Sequence, residues 1–380
     1  MRRVFMMDAK RTAVGPRNGA FKEIEAYDLA APVLQSLLTS VDIVPREVEQ
    51  LILGNALYGG GNPARMASLA AGFPNSLPAI TLDTQCCSGM DAISLAVQKI
   101  RAHEAEVILA GGLESYSRSP IRMHRPKQRG ENAIAYERPL FSPNPEDDPD
   151  PIEAAAISAQ RYDISRRKQE EIAIGSHQNS LKDEPHHREI VTVNDISHDT
   201  FTRPLDQKFC DRLKPLAGHP GYEVTAATIA VEADAAAAVL LVSEDWLRDR
   251  KEKNGAIEVI DTVSVGSDPQ YPLEGITLAS RKMLEKNDLR AEEISVVEAM
   301  EAFAVQIPRF LEKTGIEGPK LNRGGGGLCR GHPIGASGAI NAVRLWHEMQ
   351  QEPVSSFGVA TIAAVGGLGS ALLLRKSDLA

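Results

Sequence analysis

Two segments of this 380-residue sequence carry side chains suited to nucleophilic chemistry, and the first contains a thiol. Gln85-Cys86-Cys87-Ser88-Gly89 joins a strand-like run, residues 79–82, to an apolar stretch with helical spacing. A cysteine at the start of a helix lies at the positive end of the helix dipole. We therefore expect the pKa of Cys86 to be lowered and its thiolate to be available. The alternative is a buried structural thiol, which is the commoner state of a single cysteine.

The second segment contains an imidazole. Gly331-His332-Pro333-Ile334-Gly335-Ala336-Ser337-Gly338 places a histidine between glycine turns, just ahead of another apolar helical stretch. Glycines allow positive φ angles and let a ligand approach the backbone closely. A histidine alone could be a solvated loop residue. A cysteine and a histidine that meet in space form an activated nucleophile and its base.

The elements that would position these two turns recur in the same order near both ends of the chain. The matching pairs are 44–53 with 289–298, the Cys86 turn with the His332 turn, and 107–112 with 360–367. This repetition predicts two similar α/β halves, residues 1–115 (completed by 231–250) and 251–380. Halves of this kind pack pseudo-symmetrically, which would bring the two helix starts to one interface.

Apolar strand-like runs alternate with helix-like stretches in both halves, which predicts crossover units and a largely parallel sheet. Between the halves, residues 116–230 are predicted to form an inserted domain. Its first part is irregular: 118–129 is basic, and 142–151 is acidic and rich in proline. The basic part is interpreted either as a solvated loop or as a wall that binds an anionic ligand.

Composition excludes several classes of protein. With 42 Lys and Arg against 51 Asp and Glu, the formal net charge is −9, which argues against a nucleic-acid partner. Four cysteines exclude a disulfide scaffold and suit a reducing compartment. The sequence has no apolar run long enough to cross a membrane, and its basic start becomes polar at Asp8, too early for a signal peptide. A soluble, cytoplasmic α/β enzyme is expected.

Five segments in order along the chain resemble the thiolase family. They are Gly54-Asn55-Ala56-Leu57, the Cys86 turn, Ala110-Gly111-Gly112-Leu113-Glu114-Ser115, Glu301-Ala302-Phe303 and the His332 turn. The resemblance implies a five-layer αβαβα fold with an inserted loop domain. It also implies coenzyme A thioester chemistry in lipid metabolism and a homodimer or homotetramer. Coenzyme A and acyl-CoA would be substrates, with no permanently bound cofactor and no metal.

The same resemblance assigns the reacting groups by position. Cys86 corresponds to the nucleophile that takes the acyl group, and His332 to the base that activates it. Backbone N–H groups of Cys86 and of the Val365–Gly366 loop correspond to an oxyanion hole, in which one donor can contribute roughly 3 kcal/mol. Cys87 replaces a Ser or Ala of the family and is interpreted as a packing residue.

Three further positions correspond to contacts with coenzyme A. Lys214 falls where the family has a cation near the coenzyme A phosphates, although a solvated surface lysine is an equal alternative. Ala230 falls where the family has a serine that borders coenzyme A. Phe303 belongs to the Glu-Ala-Phe segment and is assigned to the substrate site.

Two departures from the family bear on carbon–carbon chemistry. Ala363 replaces the second catalytic cysteine, and Met300 replaces the Asn that holds a catalytic water. Proton transfer at the carbon next to the thioester, a step that such groups accelerate by roughly 10² to 10⁴, would be impaired or rebuilt. Cys329 could supply the missing acid/base, but a small buried residue is the favoured interpretation. Glu301 could also carry the proton if burial raises its pKa, but the ordinary family has a Glu at this position too, so Glu301 is interpreted as structural.

Three functions remain open from sequence. The first is an acetyl-CoA acetyltransferase or 3-ketoacyl-CoA thiolase. The second is an acyl-CoA-dependent condensing enzyme or an acyl transferase with a different acceptor. The third is a catalytically degenerate subunit that binds coenzyme A.

Overall fold

The computed structural model describes residues 2–182, 188–250 and 255–378. The strands are β1 Val4–Thr12, β2 Gly15–Pro16, β3 Gln50–Gly54, β4 Ala79–Leu82, β5 Val107–Ser115, β6 Arg122–His124, β7 Ile134–Tyr136, β8 Ile190–Val191, β9 Pro215–Ala217, β10 Val224–Thr225, β11 Ala233–Ser243, β12 Ile257–Gly266, β13 Ile294–Ala299, β14 Phe357–Ala364 and β15 Leu368–Arg375. The α-helices are α1 Ala26–Ser40, α2 Pro63–Ala70, α3 Ser88–Arg101, α4 Pro151–Arg161, α5 Arg166–Lys182, α6 Gln207–Cys210, α7 Glu244–Arg248, α8 Gly275–Lys286, α9 Gln306–Thr314, α10 Gly327–Arg330 and α11 Ile334–Met349.

Two sheets are joined edge to edge. The N-terminal sheet has the order β1-β11-β5-β3-β4, and the C-terminal sheet the order β13-β14-β15-β12. They join where residues 4–6 of β1 pair with residues 257–259 of β12. β11, which follows the insertion, returns to the N-terminal sheet between β1 and β5. The exact domain boundaries stay a prediction.

The expectation of a largely parallel sheet is wrong. β3 pairs in parallel with β4 and β5, and β13 with β14, but the remaining main pairings are antiparallel. The physical reason lies in the connections. β14 and β15 are joined by a tight turn at residues 365–367, which forces an antiparallel hairpin. β11 likewise runs antiparallel to both of its neighbours in the N-terminal sheet.

Helices cover both sheets and also fill the space between them. α3 and α11 contribute to a core that contains residues of both sheets. α1 and α2 pack on the outer face of the N-terminal sheet, and α8 and α9 on the outer face of the C-terminal sheet. This is the expected five-layer αβαβα arrangement. None of the helices in the described ranges is both long and apolar enough to cross a membrane.

The two central helices approach each other closely at their first turns. A Cβ atom at Gly338 of α11 would lie 2.7 Å from the Met90 nitrogen, and one at Gly89 of α3 would lie 2.8 Å from the Gly335 oxygen. Real Cβ atoms do not tolerate such contacts, so these positions require glycine. Every residue of α11 from 334 to 346 is buried, as suits a helix with a sheet on each side. The close approach brings the turns that precede the two helices together.

Candidate active site

The turns before α3 and α11 bring a thiol and an imidazole into contact. Cys86 lies between the end of β4 and the start of α3, and the positive φ of Gln85 (57°) turns the chain there. His332 follows Gly331, whose φ is 117°, and its backbone N–H donates to the Val231 oxygen at 2.7 Å. The His332 Nε2 to Cys86 Sγ distance is 3.2 Å. The structure thus brings together the two residues that the sequence singled out.

The second ring nitrogen of His332 also has a partner. Nδ1 lies 2.7 Å from Ser337 Oγ, and the Ser337 hydroxyl donates to the Pro333 oxygen at 3.0 Å. Ser337 is 2% exposed, so water does not compete for these contacts. The sequence contained this serine within the His332 turn, but no pattern there assigned it a partner.

The pKa values of the pair are governed by burial. Burial raises the pKa of the Cys86 thiol to about 12, although the backbone N–H groups of Val365 and of Cys86 itself act to lower it. Burial also lowers the pKa of His332 to about 4. The expectation that the pKa of Cys86 is lowered is therefore wrong, because desolvation outweighs the backbone N–H groups that favour the thiolate. Both groups are neutral at physiological pH, and the proton must move during the attack.

Backbone amides converge on the same sulfur. The Val365 N–H interacts with the Cys86 thiol from the turn that joins β14 to β15. This turn depends on Gly366 and Gly367, which both have a φ of 78°. A Cβ at Gly367 would lie 2.4 Å from the Ser267 oxygen, so only glycine fits. The amides assigned to an oxyanion hole by the family resemblance thus lie at the thiol.

The segment before β11 ties two of the predicted substrate contacts to the His332 turn. The Ala230 N–H donates to the Ala302 oxygen at 2.9 Å, and residues 229 and 303 form a bridge. Ala230 is buried in the same core as Cys86. Phe303 is buried in the neighbouring core, which includes residues of α4. Ala230 therefore lies on a segment, residues 229–232, that pairs with Phe303 at one end and with His332 at the other.

The cationic side chains predicted to contact the coenzyme A phosphates lie in two separate places in the structure. Lys214 is exposed between α6 and β9, and within the described ranges it has no ion pair. In the basic segment, Arg118 pairs with Glu25 at 2.9 Å, and Arg122 donates to the Ala56 oxygen at 2.9 Å. The rest of that segment is exposed around the β6–β7 hairpin. Arg122 thus connects the basic segment to the loop after β3. The contact of Lys214 with the coenzyme A phosphates stays a prediction.

Comparison with known proteins agrees with this geometry. The family models "Thiolase, N-terminal domain" and "Thiolase, C-terminal domain" match residues 4–245 and 254–376. The chain belongs to the thiolase family. Its relatives include "Putative acetyl-CoA C-acetyltransferase YhfS" of Bacillus subtilis, which is 38% identical over 97% of this chain and 98% of that protein. "Putative acetyl-CoA C-acetyltransferase VraB" of Staphylococcus aureus is 34% identical over 99% of this chain and 100% of that one.

A solved structure supports the same assignment. The crystal structure of the Bacillus anthracis acetyl-CoA acetyltransferase superimposes with a TM-score of 0.90 at 32% identity, and the match covers 99% of each chain. The fold is therefore that of a thiolase, and the chain is a thiolase-type acyltransferase.

Ala363 and Met300, which the sequence resemblance aligns with an acid/base cysteine and a water-binding Asn, are apolar and buried. Ala363, the last residue but one of β14, has a methyl group that packs towards the start of α8, where a Cβ at Gly275 would lie 2.9 Å from it. Met300 lies over Gly327, and its sulfur would be 3.1 Å from a Cβ built there. Neither side chain can carry a proton, so neither replaces the family's second acid/base.

The two suggested substitutes are engaged in other contacts. The Cys329 thiol donates to the Gly326 oxygen at 3.1 Å, and burial raises its pKa. Glu301 accepts hydrogen bonds from Ser176 Oγ and Asn322 Nδ2, both at 2.7 Å. Both groups therefore hold the glycine-rich turn before α10. Burial also raises the pKa of Glu301, and its structural role stays a prediction. Cys87 is fully buried, with its thiol 3.7 Å from the Ile362 oxygen, as suits a packing residue.

A buried carboxyl beside the site was missed at the sequence level. Glu114 accepts from Asn55 Nδ2 and Ala56 N at 2.9 Å, and from Gly335 N at 3.0 Å. Burial raises its pKa to about 7. The available signal was a charged residue at the end of an otherwise apolar buried strand. Glu114 links the N-terminal sheet to the first turn of α11, which follows His332.

Among the described residues, no cluster of three or more His, Cys, Asp or Glu side chains is arranged to hold a metal ion.

Proposed function

We propose that this thiolase-type acyltransferase carries the acyl group of an acyl-CoA as a thioester on Cys86. The observation that carries the proposal is the 3.2 Å contact between His332 Nε2 and Cys86 Sγ. His332 takes the thiol proton as the sulfur attacks the thioester carbonyl carbon. The tetrahedral intermediate then loses coenzyme A as its carbon–sulfur bond breaks, and His332 returns the proton to the departing sulfur.

The surroundings of the thiol support the charge development that this step requires. The oxyanion of the tetrahedral intermediate would accept from backbone N–H groups of Cys86 and the Val365–Gly366 turn. Preorganised amides in a buried site stabilise such charge strongly, because they need no reorientation. The neutral state of the Cys86–His332 pair also means that no buried ion pair has to be maintained before substrate binds.

The other substrate contacts belong to the same proposal. Ala230 and Phe303 would border the thioester arm, and Lys214 with the basic segment 118–129 would face the coenzyme A phosphates. No permanently bound cofactor is required for this chemistry. A cytoplasmic homodimer or homotetramer is proposed as the working form.

A second function is favoured by the apolar groups at Ala363 and Met300. Acylation of Cys86 needs only the thiol, the imidazole and amide donors, whereas carbon–carbon chemistry needs a further proton carrier. With that carrier absent, the acyl group would pass to an acceptor that needs no deprotonation at carbon, such as a thiol. The ordinary thiolase reaction would then be slow.

Intact-mass spectrometry after mixing the protein with acetyl-CoA, and separately with a long-chain acyl-CoA, tests the first step. We expect the mass of one acyl group on the wild type and on Cys87→Ser, and none on Cys86→Ser. An unmodified wild-type protein that nevertheless binds coenzyme A would support the degenerate-subunit alternative and overturn the proposal.

Loss of acetoacetyl-CoA with added coenzyme A separates the two enzyme functions. Rapid turnover would support the acetyl-CoA acetyltransferase. Acylation without turnover would support the second function, as would a gain of turnover in a variant that combines Ala363→Cys with Met300→Asn.

A further inference from the structure

Ser337 lies at the end of a chain of contacts that begins at the reactive thiol. The chain runs from Cys86 Sγ to His332 Nε2 (3.2 Å), from His332 Nδ1 to Ser337 Oγ (2.7 Å), and from Ser337 Oγ to the Pro333 oxygen (3.0 Å). All of these groups are buried or nearly so. A hydroxyl with two partners has only one proton, so the direction of each bond can be worked out.

The carbonyl oxygen of Pro333 can only accept hydrogen bonds: it accepts the Ala336 and Ser337 N–H groups at 2.8 and 2.9 Å, and the Ser337 hydroxyl has donor geometry towards it at 3.0 Å. With its proton in this bond, Ser337 Oγ accepts from His332, which assigns the imidazole proton to Nδ1. A neutral imidazole carries one proton, so Nε2 is left with a free lone pair directed at the Cys86 thiol. This is the tautomer that a base at Nε2 requires.

No carboxylate takes this orienting place in the described part of the chain. Burial alone shifts the pKa of His332. The charged groups on the adjoining segments have other partners: Arg330 lies 3.4 Å from Asp199, and Glu114 accepts from the Gly335 N–H. A neutral hydroxyl fixes the ring without stabilising an imidazolium, so the imidazole readily returns its proton to the leaving thiolate.

We propose that Ser337 is a positioning residue that fixes the Nδ1-protonated tautomer of His332 and so makes Nε2 the base for Cys86. This inference rests on the proposed acylation of Cys86. Many helical serines only donate to the carbonyl four residues earlier, as Ser337 does to Pro333. What distinguishes Ser337 is the second contact, with the imidazole, which that local bond orients.

The test compares Ser337→Ala with Ser337→Thr, which keeps the hydroxyl. Ser158→Ala is a matched control, because Ser158 is buried in α4 and donates to the Ala154 oxygen at 2.8 Å without contacting an imidazole. Two quantities are measured: the rate of acyl-Cys86 formation from pH 4 to 9, and the ¹⁵N chemical shifts of the His332 ring.

For the wild type we expect a rate that is constant above about pH 5 and falls as His332 is protonated. Ser337→Ala should lower the plateau by roughly 10- to 100-fold, because an imidazole in the wrong tautomer is not a base at Nε2. Its ¹⁵N shifts should show a proton on Nε2. Ser337→Thr should recover most of the rate, and Ser158→Ala should keep all of it.

Two outcomes would overturn the inference. One is an unchanged His332 tautomer in Ser337→Ala. The other is a loss of rate from Ser337→Ala that is as large in a His332→Ala background as in the wild type. A positioning residue should have no effect once the group it positions is absent.

Alkylation of Cys86 by iodoacetamide separates this inference from the proposed function, because it requires no acyl-CoA. If the wild type is never acylated but its alkylation rate still depends jointly on His332 and Ser337, the proposed function fails and the role of Ser337 stands. If the alkylation rate is also unchanged in Ser337→Ala, the inference fails.

Discussion

Cys86 and His332 show how burial, rather than the helix start, determines the charge of the reactive pair. The dipole of α3 and two backbone N–H groups favour the thiolate, yet the pKa of Cys86 is raised to about 12. In a desolvated site an ion pair is costly to maintain, and two neutral partners in hydrogen-bond contact are not. The thiol thus becomes reactive when an electrophile such as a thioester arrives to accept the electrons of the sulfur.

Cys329, three residues before His332, allows a prediction at the scale of single residues. Cys329→Ala should leave the rate of Cys86 acylation within about threefold of wild type, because the Cys329 thiol is bonded to the Gly326 oxygen. It should lower the free energy of unfolding by roughly 1 kcal/mol through the lost contact. Stopped-flow kinetics of acylation measures the first effect, and urea denaturation measures the second. A large loss of acetoacetyl-CoA thiolysis with unchanged acylation and stability would instead give Cys329 the role of the missing acid/base.

At the scale of elements, the site depends on the contact between the first turns of α3 and α11. Gly335 lies where α11 meets the loop after β3. A Cβ there would be 2.7 Å from the Asn55 Cα and 2.8 Å from Glu114 Oε2. The same turn donates the Gly335 N–H to Glu114 at 3.0 Å. The position of His332 relative to Cys86 therefore depends on backbone packing several residues away.

Gly335→Ala should displace the start of α11, lower the free energy of unfolding by roughly 1–3 kcal/mol and reduce acylation of Cys86. The control is Gly175→Ala in α5, where a Cβ would meet nothing within 4 Å. The free energy of unfolding of that variant should rise by roughly 0.5–1 kcal/mol, because alanine is the better helix former. Thermal and urea denaturation of both variants measure the effect. A destabilised Gly175→Ala or an unaffected Gly335→Ala would contradict this account of the helix contact.

At the scale of the whole molecule, a buried ionic network connects the insertion to both halves. Arg11 pairs with Glu189 at 2.6 Å and with Asp199 at 2.7 Å, and Arg344 pairs with Glu189 at 3.0 Å. The other members are Arg330, Glu348 and Glu298. Among the described residues, four carboxyl groups thus face three guanidinium groups. Burial raises the pKa of Glu298 to about 8, so its protonation balances the charges of these described groups.

Glu298→Gln tests this balance. The folded pKa of Glu298 lies above its unfolded value of about 4.3, so the folded protein holds a proton that the unfolded chain releases between these pH values. The contribution of Glu298 to stability is therefore present below about pH 4.3 and is lost as the pH rises through about 8. The stability of Glu298→Gln relative to wild type should increase from pH 5 to pH 8.

Urea denaturation at several pH values measures that difference, with the surface variant Glu23→Gln as control. A Glu298→Gln difference that stays constant from pH 5 to pH 8 would show that Glu298 is ionised throughout.

The sequence predicts what depends on local pattern and not what depends on burial. β4 was predicted with its observed ends, and the Cys86 and His332 turns stood out because their residue types and glycines are adjacent in the chain. The pKa direction of Cys86 could not be predicted, because it depends on layers that pack from distant segments. The ionic network brings together Arg11, Glu189 and Arg344, whose separations follow no periodicity. The predicted parallel pairing was wrong where long insertions or tight turns, and not βαβ crossovers, connect neighbouring strands.

The thiol and the imidazole each lie just before a central helix, one in each half of the chain. Two identical halves would place two thiols, or two imidazoles, at that interface. Two halves of one chain differ in sequence, so one can supply the donor and the other the acceptor of the proton. Neither half by itself contains both partners.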